Sequence, residues 1–239
     1  MPKAKCEGYF LFIMSENAGQ KVKILNTQWV THNVRRFQLE KPAAFRYIPG
    51  QATDVSISRE GWEDKLRPFT FTSLNDWDFL EFTIKIYTDH NGVTNELGKL
   101  QAGDSLIIHD VWGTIHFEKP GVFIAGGAGI TPFIAILRQL HKDNKMGSNK
   151  LVFSNRTEKD IILREEFENM LGDNFINLIT GEPASVWYHK RIDSDYLKKL
   201  IDEGAGYFYV CGPDPMVDGI TQGLKALGVA HNHIIREEF

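Results

Sequence analysis

Residues 121–140 read GVFIAGGAGITPFIAILRQL, and the change of period inside this stretch decides the fold. Val122 to Ala125 form an apolar run of strand length, glycines then break it, and Phe133, Ile136, Leu137 and Leu140 follow at helical spacing. A strand, a glycine turn and a helix in that order begin a unit whose next strand lies parallel to the first. Gly127 and Gly129 leave room for a nucleotide backbone to approach, while Thr131 and Pro132 stand where a cap and a first helical residue are expected. A helix starting there aims unpaired amides at a pyrophosphate. Plain packing of strand on helix explains the same turn.

Toward the C-terminus the alternation repeats. Strands are expected at 151–154, 175–180 and 207–211, with a last one ending at Phe239. Leu163, Phe167, Met170 and Leu171 mark one intervening helix, and Val217, Ile220, Leu224 and Leu227 another. The pattern predicts an α/β domain with a parallel sheet covered on both faces. Toward the N-terminus the signals are short strands at 22–30, 34–40, 51–57, 67–73, 79–87 and 105–109, broken by turn residues and one short helix near 95–100. They predict a six-stranded antiparallel β-barrel. Lys119-Pro120-Gly121 marks the join, giving a barrel domain over 20–118 and an α/β domain over 119–239.

Within the barrel, Arg67-Pro68-Phe69-Thr70-Phe71-Thr72-Ser73 sets a cation, an aromatic ring and a hydroxyl within four residues. A strand edge at a domain mouth could offer Arg67 to a pyrophosphate, Phe69 to a flat ring and Thr70 to that ring's edge, the needs of a flavin nucleotide. An edge strand with an exposed Arg and a core Phe is the competing explanation.

RPFTFTS, GGAGITPF (126–133) and VCGPDPMV (210–217) occur in that order, and with them the chain resembles the ferredoxin-NADP reductase superfamily from about residue 22 to its end. The pattern is most similar to the branch of cytochrome-reducing flavoproteins that prefer NADH. The resemblance implies a barrel that binds FAD, with FMN less favoured, and an α/β domain that takes NADH or NADPH as substrate. Arg67 and Thr94 would hold the flavin phosphates, with Pro68 between Arg67 and the ring-binding residues. Phe69 would lie against the isoalloxazine, in place of the family's commoner Tyr, and Thr70 would reach the nitrogen that accepts hydride.

By the same resemblance Ile84, Lys85, Ile86 and Tyr87 form a cofactor-contacting segment. Gly92, Val93 and Thr94 form a second phosphate motif, with Asn91 where the family has a first glycine. Ser154 and Arg156 fall where relatives bind the adenosine ribose, and Arg156 as a single cation flanked by Glu158 and Asp160 leans toward NADH. Cys211 would pack beside the nicotinamide, with Gly212, Pro213 and Met216 lining the strand end. Glu237 and Phe239 would come close to the flavin, Glu237 to handle protons or place the nicotinamide. Thr70, Cys211 and Glu237 are thus the catalytic candidates. The implied acceptor is a ferredoxin, a flavodoxin, a cytochrome or a small molecule; a free-flavin reductase and a non-catalytic electron-transfer subunit are the alternatives.

Composition narrows the classes further. The 239 residues are 42% hydrophobic and 24% charged, with a net charge of -4 and no basic stripe, which argues against nucleic-acid binding. Two cysteines cannot ligate an iron–sulfur cluster, and His231 with His233 lack further ligands nearby, so no metal is expected. The apolar run at 9–14 is far short of a membrane span, and a cytoplasmic protein is expected. The family-like pattern begins after Met14, which makes Met14 a candidate native start. A nucleophile elbow with Ser, His and Asp in order is missing, against hydrolase chemistry.

Overall fold

The first half of the chain folds into strands, β1 (Gln20–Trp29), β2 (Val34–Glu40), β3 (Ala52–Ile57), β4 (Arg67–Thr70), β5 (Phe79–Lys85) and β6 (Ser105–Trp112); burial alternates in parts of β1, β2 and β6, while β3 and β5 are buried almost throughout. The computed structural model describes residues 19–113, 115–181 and 191–237. The six strands form one antiparallel sheet in the order β4-β3-β6-β1-β2-β5. Its edges meet where Phe71 bridges Phe82 and the Thr72 amide donates to the Glu81 carbonyl at 2.8 Å, which closes the barrel. Val22, Phe37, Leu39, Val55, Phe71, Phe82 and Leu106 fill it, and Tyr47 stacks on Phe71 at 4.3 Å.

The helix α1 (Val93–Leu97) begins and ends earlier than expected, with Gly98 at its C-cap. Strand β6 runs past His109 to Trp112, because Trp112 still pairs with Ala52 of β3. Turn composition after His109 gave no sign of that.

The second half alternates β7 (Val122–Gly126), α2 (Thr131–Lys142), β8 (Lys150–Asn155), α3 (Arg164–Leu171), β9 (Phe175–Ile179), α4 (Ser194–Asp202), β10 (Phe208–Cys211), α5 (Asp214–Ala226) and β11 (Ile234–Arg236). The sheet order is β11-β10-β7-β8-β9 and every pair is parallel. On one face Phe133, Ile134 and Leu137 of α2 and Phe167 of α3 cover Phe123 and Phe153; on the other, Leu197 of α4 and Ile220 and Leu224 of α5 cover Val152, Phe208 and Val210. Both faces are buried, as a parallel sheet requires.

Three expectations need correction here. Helix α4 was not foreseen, although its signals are present: Leu197 and Leu200 are buried, Tyr196 and Ile201 pack beside them on the same cluster, and Asp193 caps it by accepting from the Tyr196 amide. Thr131 is no cap. Gly127–Ile130 forms a tight 3-10 turn ahead of α2, Ile130 takes the capping position, and the Thr131 hydroxyl donates back to the Ala128 carbonyl at 3.1 Å. The last strand stops at Arg236, and Phe239, like residues 1–13 and Met14, lies outside the described residues.

Two features tie the halves together. Val34 of the barrel and Ile115 of the connection share one apolar cluster with α2. The Tyr209 hydroxyl accepts from the amides of Glu118 and Lys119, both at 2.9 Å, and donates to the Lys119 carbonyl at 2.7 Å.

Candidate active site

The open ends of β7 and β10 face the barrel mouth, and a cleft of about 240 Å³ lies between them. From the barrel come Pro68, Phe69 and Thr70 of β4, Thr83, Ile84 and Lys85 of β5, then Tyr87 and Thr94. Ala52 pairs with Thr70 on one side and Trp112 on the other, so the three stand in a row across β4, β3 and β6, and all line the cleft. From the sheet domain come Ala128, Gly129, Thr131, Pro132, Cys211 and Glu237. Ala52, Thr83, Trp112 and Ala128 were not singled out from the sequence; strand register brings the first three there, and no local motif carries it.

Other candidates fall elsewhere. Arg67 starts β4 on the exposed rim, where its guanidinium donates to the Leu66 carbonyl at 2.7 Å, and it is not part of the cleft wall. Ile86 and Val93 point into the barrel core at 5% and 3% exposure, so the stretch from Ile84 to Tyr87 does not contact the cleft as a whole. Ile86 lies just past the end of β5, where its amide donates to the Asn33 carbonyl at 2.8 Å. Gly92 is the extended N-cap of α1 and donates to the His90 carbonyl at 2.9 Å.

The glycines divide the labour differently from the expectation. Gly127, at φ +52° with open space in front of it, leaves the turn free for a ligand backbone. Gly129 does not: a Cβ there would stand 2.4 Å from the Cys211 carbonyl, so its missing side chain accommodates the β10 turn. A Cβ on Gly212 would likewise stand 3.1 Å from the Gly126 backbone. The GGAGITPF and VCGPDPMV turns therefore touch backbone to backbone. Pro213 is the exposed N-cap of α5.

Burial, and then the charge of Glu237, pushes the Cys211 thiol up to about 12, so it stays protonated and is no nucleophile at neutral pH. Burial likewise raises the Glu237 carboxyl above its ordinary range. These two residues also border a cavity of about 530 Å³ lined by Gly212, Asp214, Asp218 and Arg236.

Ser154, Arg156 and Met216 meet around a cavity of about 560 Å³ at the C-terminal ends of β8 and β9 beside α5, together with Thr180, Arg191 and Pro215. Arg191 carries no motif and was not anticipated. The acids expected to flank Arg156 are turned away: Asp160 accepts from the amide and hydroxyl of Thr157 at 3.0 and 2.8 Å, and Glu158 lies 3.9 Å from Arg164. Two guanidinium groups thus border one pocket.

A flat ring surface at Phe69 and the hydroxyl residues Thr70 and Thr94 line one cleft and form a set that fits a flavin, and the second pocket fits the far end of a dinucleotide. Fold and cleft together define a two-domain flavin- and nicotinamide-dependent oxidoreductase. Residues 21–117 match the family of oxidoreductase FAD-binding domains, and residues 123–222 the family of oxidoreductase NAD-binding domains. The chain belongs to the ferredoxin-NADP reductase superfamily of FAD-dependent NAD(P)H oxidoreductases.

Among curated relatives, NADH-cytochrome b5 reductase 2 of Rattus norvegicus is 26% identical over 93% of this chain and 95% of its own. The ferredoxin--NAD(P)(+) reductase component of the naphthalene 1,2-dioxygenase system of Pseudomonas putida is 24% identical over 87% of this chain and 65% of its own. A ferredoxin NADP+ reductase from Neisseria gonorrhoeae, solved with bound FAD and NADP, superposes with a TM-score of 0.80 at 22% identity, over 93% of this chain and 99% of its own. That likeness speaks for the fold alone. Among the described residues no helix is long and apolar enough to cross a membrane.

Proposed function

We propose that the chain oxidises NADPH at bound FAD and hands the electrons to a separate redox partner, a ferredoxin, a flavodoxin or a cytochrome, in a cytoplasmic setting. The observation that carries this reading is that Thr70 of the barrel and Cys211 and Glu237 of the sheet domain line one cleft. Bound FAD supplies the ring that accepts hydride and can release electrons singly. The protein's own residues orient and shield. Phe69 offers an apolar face, Thr70 a hydroxyl at the ring edge, and Cys211 a small neutral wall whose thiol keeps its proton. Glu237, with its raised pKa, is suited to hold or release a proton beside the cleft. Arg67 would approach a pyrophosphate from the exposed rim.

For the coenzyme, Arg156 and Arg191 bordering one pocket favour a 2′-phosphate over a bare ribose, against the lean toward NADH drawn from a single flanked cation. The test is an absorbance spectrum of purified protein followed by anaerobic titration with each coenzyme. A yellow protein bleached faster by NADPH than by NADH is expected. A colourless preparation that takes up no FAD would sink the flavoprotein reading, and faster bleaching by NADH would sink the coenzyme choice.

A further inference from the structure

Away from the cleft, the interface between the domains buries a charge for which the proposed chemistry has no use. Arg138 lies about two turns beyond Thr131 on α2, and its side chain is only 7% exposed. Within its own domain, Nε and Nη2 donate to the two oxygens of Glu166 on α3 at 2.5 and 2.9 Å. Across the interface, Nη1 donates to the Thr72 carbonyl at 2.6 Å and to Oε1 of Glu81 on β5 at 2.7 Å. The guanidinium carbon also lies over the Trp77 ring, 5.1 Å from its centroid.

Glu81 is 1% exposed, and what surrounds it leads back to the cleft. Its Oε1 accepts from the Thr72 hydroxyl at 2.9 Å, and that hydroxyl stands 3.3 Å from the hydroxyl of Thr83, a residue of the cleft wall. Arg36 is its other cation, at 3.8 Å. On the opposite side, the helix that carries Arg138 begins with Thr131 and Pro132, also cleft residues. One guanidinium therefore joins the barrel wall of the cleft to the nucleotide-domain wall.

A buried ion pair of this kind is a poor source of net stability, because desolvation offsets the attraction. Its stronger property is orientation. A planar fork that satisfies a carboxylate on each side admits one relative placement of the two domains, which a lysine or an apolar contact would not impose. Burial opposes the Arg138 charge, but the hydrogen bonds to Glu166 and the field of Glu81 outweigh it and raise its pKa. Among the described residues Lys142 with Asp76 and His32 with Asp160 also span the domains, yet both involve exposed side chains and hold orientation weakly.

We propose that Arg138 is a positioning residue for hydride transfer: by gripping Glu81 and the Thr72 carbonyl on the barrel and Glu166 on the sheet domain, it sets the spacing between Thr70 and the Thr131–Pro132 wall. The inference rests on the proposed function, since spacing across the cleft matters only if two rings react there. Reacting atoms need to approach to about 3 to 3.5 Å, and an error near 1 Å costs about a hundredfold in rate.

Replacing Arg138 alone leaves the buried Glu81 with only the more distant Arg36 as a cation, so the test uses Arg138→Met together with Glu81→Gln, loaded with FAD. The double variant should stay yellow, while its limiting rate of flavin reduction by NADPH in single turnovers falls about tenfold to a hundredfold. Its half-saturating NADPH concentration should change little. Calorimetry of the flavin-free protein should show one unfolding transition in the parent and two in the variant, the domains having come uncoupled. An unchanged limiting rate, or a loss confined to the half-saturating concentration, overturns the proposal. If the double variant loses its flavin, Arg138→Lys decides: it keeps the charge but cannot fork across both carboxylates, and a parental limiting rate in it is equally fatal. Failure of NADPH to bleach the parent protein would instead strike the proposed function.

Discussion

Thr70 is 9% exposed and reaches the cleft from the last position of β4, next in sequence to the half-buried Phe69, which lines the same cleft. Thr70→Val keeps the shape and removes the donor. Flavin content should hold while the single-turnover rate of flavin reduction drops by about tenfold, the equivalent of one hydrogen bond of about 1.4 kcal/mol; an unchanged rate would remove Thr70 from the reaction. Glu237 gives a prediction with a sign. Its folded pKa lies above the ordinary 4.5, so the native state binds the proton more tightly than the unfolded chain. Stability from this group is therefore greatest at low pH and declines as pH rises from 4.5 through the higher folded value. Glu237→Gln removes that decline, so the variant should melt higher than the parent at pH 8 but not at pH 4, and parallel melting curves at both would refute the assignment.

At the scale of elements, the two glycine turns act as one unit because their backbones touch. Gly129→Ala would drive a methyl group into the Cys211 carbonyl, which is main chain and cannot swing aside. A loss of about 1 to 3 kcal/mol is expected from such overpacking, read as a lowered urea midpoint. Coenzyme binding should weaken with it, since both turns would shift. An alanine variant as stable as the parent would show that the turns can part at little cost. This contact also marks the limit of what sequence could tell. The period change across 121–140 and the strand alternation before it made both sheets legible, because burial on one or two faces leaves a direct imprint on residue order. Helix α4 does leave a stripe, Tyr196, Leu197, Leu200 and Ile201, whereas the pairing of Trp112 with Ala52 leaves none.

At the scale of the whole molecule, the candidate site is legible in proportion to how local it is. Phe69 and Thr70 sit in one motif and Cys211 in another, and both motifs open on one cleft. Arg191 and Arg138 belong to no motif. The first lies far in sequence from Ser154 and Arg156, with which it borders the pocket, the second owes its place to the packing of α2 on the closed barrel, and both depend on long-range contacts that sequence spacing does not encode.

Tyr209 belongs to this largest scale as well. Its ring stacks on Phe123 at 4.4 Å while its hydroxyl holds the segment at Glu118 and Lys119. The strap between the halves is thus clasped by the second half's own central strands instead of hanging as a loose tether. Anyone grafting the nucleotide half of a relative onto this barrel would have to cut upstream of Phe117, so that clasp and strap travel together; a seam at Pro120 would leave the incoming tyrosine holding a foreign ribbon.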